Sequence, residues 1–168
     1  RCVSETGNTH QGYADESAWS RGQAWGLYGY TMTYRLTDHI EFLKQAEKIA
    51  GFLLEHPNMP EDLVPYWDYN APGIPDEPRD VSAAAIMASA LYELCRYSEK
   101  GAWYKEKADK IMESLGTVYA SAPGENYGFI LGHSVGARPM NSEVDVPLNY
   151  ADYYYLEALL RKKKLEAN

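Results

Sequence analysis

The sequence predicts an all-α fold in which inner and outer antiparallel helices form a partial α/α toroid. Three observations carry that expectation. Five helical apolar patterns follow one another along the 168 residues. They alternate in character: buried, wet, buried, wet, buried. Long loops rich in Pro, Gly and aromatic residues follow each wet helix. A helix that is apolar on most sides must be covered on most sides, whereas one with a charged face can lie outermost. Strict alternation therefore separates an inner from an outer ring.

Residues 1–16 are polar and read as loop. A helix over 17–36 carries Trp19, Ala24, Leu27, Tyr28, Met32 and Leu36 at helical spacing, with Ser17 as its N-cap. Gly22, Gly26 and Gly29 interrupt it at about 1 kcal/mol each relative to alanine, which points to close packing or to room left for a ligand. Asp38 caps a second helix, 39–55, with Ile40, Leu43, Ala46, Ile49, Ala50 and Leu53 opposite Glu41, Lys44, Glu47 and Lys48. Residues 56–78 form a Pro-rich loop around Tyr66-Trp67-Asp68-Tyr69-Asn70, longer than a compact domain ordinarily tolerates without a use for it. Asp80 or Ser82 opens a third helix, 81–98, whose first turns are small and apolar. A wet fourth helix covers 101–120, residues 121–142 are loop, and a buried final helix runs over 146–163 with Pro147 in its first turn. Aromatic-bearing loops precede each buried helix. His10, Trp67, Asp68, Asp80, His133, Arg138 and Asp145 should therefore converge at one end of the inner ring.

Composition narrows the function classes. A net charge of −8 argues against nonspecific nucleic-acid or anionic-membrane binding. No apolar run is long enough to span a bilayer. Arg161-Lys162-Lys163-Lys164 reads as a solvated tail complementing a helix dipole. Fifteen tyrosines against three phenylalanines suit a polar cleft such as a carbohydrate site, or equally a polar-lined core. Cys2 and Cys95 match no metal spacing, and Cys95 reads as a buried free thiol. The chain opens on Arg1 with no visible signal peptide and reads as a single partial domain, 1–168, of something longer.

The densest chemistry lies between His10 and Trp25. Trp19, Arg21 and Trp25 sit within the first turns of a helix. Indole faces would stack on a ring-shaped ligand, and a guanidinium would fork onto its carboxylate. The same spacing would also serve a helix core with one ordinary surface charge.

Thr9-His10-Gln11-Gly12-Tyr13 followed by Trp19-Ser20-Arg21-Gly22-Gln23-Ala24-Trp25-Gly26 resembles the signature of unsaturated glucuronyl hydrolases. Arg79-Asp80-Val81-Ser82-Ala83-Ala84-Ala85-Ile86 is similar to a second block of that family. Asn141-Ser142-Glu143-Val144-Asp145-Val146-Pro147-Leu148, running into Tyr150-Ala151-Asp152-Tyr153-Tyr154, is similar to a third. The resemblance extends from His10 to Arg161. It implies about the C-terminal half of a six-hairpin α/α barrel, with the family's catalytic aspartates in the missing N-terminal half. It implies removal of a 4,5-unsaturated uronic acid from the nonreducing end of lyase-generated oligosaccharides by hydration of the enol ether, with no metal or nucleotide cofactor. By position it assigns substrate contact to His10, Gln11, Trp19, Arg21 and Trp25. Asp15, Asp68, Asp80, Asp145 and Asp152 could supply a glycosidase carboxylate pair. Asp80 and Asp145 read more simply as helix caps, and Asp152 as a buried hydrogen-bonding partner. The alternative function is a non-catalytic carbohydrate-binding module stacking sugars on Trp19, Trp25, Trp67 and the tyrosines. A lone half-barrel would expose apolar lateral faces and self-associate through them.

Overall fold

The computed structural model describes residues 8–167. Cys2 and the start of the predicted 1–16 loop lie outside them. Five α-helices follow in the predicted order: α1 Ser20–Thr37, α2 Ile40–Leu54, α3 Val81–Leu94, α4 Gly101–Ser114 and α5 Asn149–Glu166. α4 runs on into a π-helical turn, Leu115–Tyr119.

Helix starts differ from expectation where side chains found other partners. Ser17 does not cap α1. Its hydroxyl accepts from the Ala14 N–H (3.0 Å) and donates to Asp68 Oδ2 (2.7 Å), so it belongs to the preceding loop. α1 opens after Trp19 with no side-chain cap. Asp38 ends α1 in the left-handed conformation (φ 56°), its N–H on the Tyr34 carbonyl, and α2 opens after His39. Asp80 does cap α3, accepting from the Ser82 N–H. α3 stops at Leu94 because the chain turns back on itself there: a Cβ on Gly101 would lie 2.3 Å from the Cys95 carbonyl oxygen. α5 begins at Asn149, leaving Pro147 ahead of it.

The predicted loop 121–142 holds an element that its Gly spacing concealed. β1 (Ser134–Ala137) pairs antiparallel with β2 (Ser142–Val146) in the register Ser134↔Val146, Val135↔Val144 and Ala137↔Ser142. Two residues of β2 are spent against one of β1, which makes Asp145 (φ 58°) the bulged residue. Asp145 is thus a strand bulge and not a helix cap.

Packing follows the inner and outer assignment. All of α3 is buried. It packs against α1 on one side, α5 on the other and α4 behind, while α2 packs mainly on α1. The inner layer is α1–α3–α5 and the outer layer α2 and α4. α5 departs from prediction: only Ala151 and Ala158 are buried, and Tyr153, Leu156, Leu159 and Leu160 are exposed on the flank away from α3. Its apolar residues are distributed around the helix, and among the described residues its neighbours, α3, α1, α4 and the Ile130–Leu131 loop, leave this flank open.

The inner helices are joined by polar as well as apolar contacts. Glu157 of α5 accepts from Tyr28 (3.1 Å) and Ser89 (2.5 Å). Arg161 is no solvated residue. It pairs with Glu93 (2.7 Å) and Glu157 (3.4 Å) and donates to the Ser89 carbonyl (2.8 Å). Lys162 reaches Asp109 (2.9 Å), so half of the basic run ties α5 to its neighbours. Cys95 is a free, half-buried thiol, and burial pushes its pKa up.

Asp109 on α4 also accepts from Tyr92 (2.7 Å) and Lys105 (2.7 Å). Burial works against its charge, yet hydrogen bonds from Lys105, Lys162 and Tyr92 hold its pKa down at about 2. A carboxylate depressed in the folded state stabilises the fold above its unfolded pKa, roughly 3.9, and loses that contribution as pH falls through the folded value. Thermal melts should therefore separate the wild type from Asp109→Asn above about pH 4, the wild type being the more stable. The two should converge near pH 2. An equal gap at both pH values would sink this assignment.

Candidate active site

The loops that precede α1, α3 and α5 do meet at one end of the inner layer. Backbone hydrogen bonds splice them together: Ser20 N–H to the Trp67 carbonyl, Tyr69 N–H to Ala18, Trp67 N–H to Pro78, Asp80 N–H to Pro65 and Val81 N–H to His133. Buried backbone must find partners, and here the loops serve as one another's partners. Asp68, wholly buried, accepts from the Tyr13 N–H (2.9 Å), the Ser17 hydroxyl (2.7 Å) and the Asn70 N–H (2.8 Å). It anchors the loop that carries His10 and Gln11.

Arg21 lies at the centre. It is 5% exposed. Its Nη1 donates to Asp80 Oδ2 (3.2 Å), to the Ser82 hydroxyl (3.4 Å) and to the Val135 carbonyl; Nη2 donates to Gln11 Oε1 (3.0 Å) and the Gly136 carbonyl (2.6 Å). The guanidinium lies 4.9 Å from the Trp19 ring centroid and 5.3 Å from that of Tyr150. The carboxylate facing Arg21 is thus the protein's own Asp80, in a single contact. Asp80 is fully buried. Burial pushes its carboxyl above the ordinary carboxylate range, while Arg21, Ser82 and the N–H groups of Val135 and Ala83 work against that rise.

Gln11, Trp19, Arg21 and Trp25 line an open depression of about 430 Å³ together with Tyr150, Tyr153 and Tyr154. Tyr154 stands edge-on to Trp25 (5.1 Å) and Tyr28 (5.3 Å). His10 is exposed and outside this lining. Sequence reasoning offered the tyrosines only collectively, as stacking platforms in the alternative reading, and gave these three no individual role. Their signal was there: positions i, i+3 and i+4 share one face of a helix.

The remaining candidates lie elsewhere. Trp67 is 5% exposed, packed with Ala71, Val135, Trp19 and Ile74, and its indole N–H donates to Glu77 (2.9 Å). It presents no stacking face. His133 and Asp145 form an exposed pair (2.7 Å) beside Glu77, Arg79 and Tyr119 in a separate hollow of about 330 Å³. Arg138 Nε lies 3.9 Å from Glu77. Asp15 accepts from the Thr9 N–H (2.7 Å), and Asp152 from the Ile130 and Leu131 N–H groups (both 2.9 Å). Each of these aspartates has a structural partner. Among the described residues no group of three or more His, Cys, Asp or Glu could hold a metal ion, and no helix is long and apolar enough to cross a membrane.

No family model matches the chain. It is 49% identical over 164 residues to an unsaturated glucuronyl hydrolase of Formosa agariphila, spanning 97% of this chain and 41% of that protein. A crystal structure of an unsaturated glucuronyl hydrolase specific for heparin superposes with a TM-score of 0.94 at 52% identity, over 96% of this chain and 44% of that one. The chain is a homologue of the unsaturated glucuronyl hydrolases. The structures of these neighbours are α/α barrels, in keeping with the inner and outer layers found here. A mutant hydrolase of Streptococcus agalactiae complexed with dGlcA-GalNAc6S is also similar (TM-score 0.84, 33% identity, 92% of this chain and 41% of that one). The chain spans less than half the length of each of these relatives.

Gly22 owes its place to Trp19, since a Cβ there would lie 2.6 Å from Trp19 Cε3. Gly22→Ala should displace the indole and cost about 1–3 kcal/mol, as overpacking does. Denaturant unfolding, with a change in tryptophan emission, would register both effects. An unchanged midpoint and spectrum would mean that Trp19 is not held there.

Proposed function

We propose that this chain supplies the substrate-binding wall of an unsaturated glucuronyl hydrolase. The substrate would be an oligosaccharide ending in a 4,5-unsaturated uronic acid. The observation that carries this reading is the aromatic depression on Arg21, built from the same residues that the family resemblance assigns to the sugar. Gln11, Trp19, Arg21 and Trp25 line it, and His10, exposed, precedes Gln11 on the same loop. Ring-shaped ligands are held by aromatic faces with a few fixed polar groups, and the depression offers both. Hydration of the C4–C5 enol ether gives a hemiketal that collapses and releases the aglycone. It requires a proton donor and an activated water.

Every buried aspartate of this wall is committed. Asp68 holds three donors, and Asp80 holds Arg21 and the start of α3. Asp15, Asp145 and Asp152 hold other partners, and no aspartate lines the depression. We therefore place the proton donor in the part of the relatives that this chain does not span, and read 1–168 as one partial domain. The chain alone would bind the sugar without turning it over.

Loss of enol-ether absorbance from an unsaturated uronyl disaccharide tests the chemistry, and calorimetry tests binding. Expected are binding and no turnover. Turnover would place the proton donor among the aspartates here. Equal affinity for saturated and unsaturated disaccharides would favour a carbohydrate-binding module. Trp25→Ala should weaken binding by about 2- to 10-fold, the size of one aromatic contact.

Beyond the depression, the exposed flank of α5 carries Leu156, Leu159 and Leu160. Contiguous apolar surface favours association, and a second copy of the chain is the occupant we assign to it. Sedimentation at micromolar concentration should show a dimer that Leu156→Lys with Leu160→Lys dissolves. A monomeric wild type would overturn this.

A further inference from the structure

We propose that Asp80 is a positioning residue for the sugar site, acting through Arg21 to fix Gln11 as a hydrogen-bond donor. The inference rests on the reading of the depression as that site.

An arginine carries only donors, so whichever amide atom of Gln11 meets Nη2 must be the oxygen. The contact is 3.0 Å. It leaves the Gln11 amide nitrogen, with its two N–H bonds, as the end not held by Arg21. Gln11 also lines the depression. A glutamine free to rotate could offer either end to a ligand. This one is held as a donor, suited to a uronate carboxylate or a ring hydroxyl.

The lock on Gln11 is only as good as the lock on Arg21. Both terminal nitrogens of Arg21 are engaged by protein oxygens from three segments: Asp80 and Ser82 at the start of α3, Val135 and Gly136 of β1, and Gln11. Asp80 is the one charged acceptor among them and the one that joins the segments. It also accepts from the Ser82 N–H (3.1 Å), the Ser82 hydroxyl (2.6 Å) and the Val135 N–H (3.4 Å). Trp19 and Tyr150 flank the guanidinium and complete its seat. Asp80 lines no part of the depression, so its effect on a ligand must pass through Arg21.

The test compares the wild-type chain with Asp80→Asn and Arg21→Lys. Asp80→Asn keeps an oxygen for the α3 cap and removes the charge. Arg21→Lys keeps a cation opposite Asp80 and removes the second nitrogen that holds Gln11. Side-chain amide relaxation of Gln11, read by NMR without ligand, should show a rigid amide in the wild type and a mobile one in both variants. In a titration with an unsaturated uronyl disaccharide, the Gln11 amide protons of the wild type should shift, and each variant should bind about tenfold more weakly.

If Asp80→Asn fails to fold, Asp80→Glu, which keeps the charge but displaces it from Nη1, decides by the same readout. A Gln11 amide as rigid in the folded variants as in the wild type overturns the proposal, whatever the ligand does. A rigid wild-type amide that the variants loosen, in a chain that binds no disaccharide, upholds the positioning and removes the sugar-site reading instead.

Discussion

A guanidinium buried to this degree needs oxygen on every side, and meeting that need organises the end of the molecule that carries the aromatic depression. Arg21 draws acceptors from the His10–Gly12 loop, from the start of α3 and from β1. Removing one partner of a buried ion pair typically costs about 3–5 kcal/mol, because the other charge is left unmatched. The cost binds segments that are far apart in sequence: Arg21 and Asp80 are 59 residues apart, and Arg21 and Gly136 are 115 apart. Apolar packing would hold these elements together, but it has no direction. The ion pair and its hydrogen bonds set the angle at which the loops meet.

The same logic explains why the long connection before α3 is buried. A loop ordinarily stays at the surface because its backbone polar groups need water. Here Trp67, Asp68 and Tyr69 lie in the interior, and their backbone groups bond to Ser20, Ala18 and Pro78. Asp68 takes over the role of a wet surface for three donors, two from the loop before α1 and one from its own. The result is a packed floor under Trp19, on which a wall can be built with little conformational freedom left to lose on binding.

α5 joins the site to the opposite end of the inner layer. Its first turns present Tyr150, Tyr153 and Tyr154 to the depression. Farther along, Glu157 and Arg161 lace it to Tyr28, Ser89 and Glu93. Polar ties suit this helix because its buried face is narrow: Ala151 and Ala158 let it approach α3 closely but bury little apolar area.

The helices, their order and the alternation in burial from α1 to α4 were legible in the sequence, because the period of an apolar stripe and the presence of a charged face are local properties; the exposed flank of α5 was not. α2 and α3 show this most clearly: one carries a charged face, the other none. The candidate wall was legible to the extent that its residues are close in sequence, as Gln11, Trp19, Arg21 and Trp25 are. The family resemblance rested on the same short blocks. Partnerships across the chain were not legible. Ser17 and Asp38 are good caps in isolation, yet Asp68 claimed one and the end of α1 the other. The β1–β2 hairpin hid behind glycines and a bulge at Asp145. Arg161 looked like solvent-facing charge until α3 supplied Glu93. Trp67 looked like a stacking platform until its surroundings covered it. Sequence by itself determined where helices can form and which faces must be covered. Tertiary structure decided which acceptor each buried donor meets, because that competition is settled only when distant segments arrive in the same place.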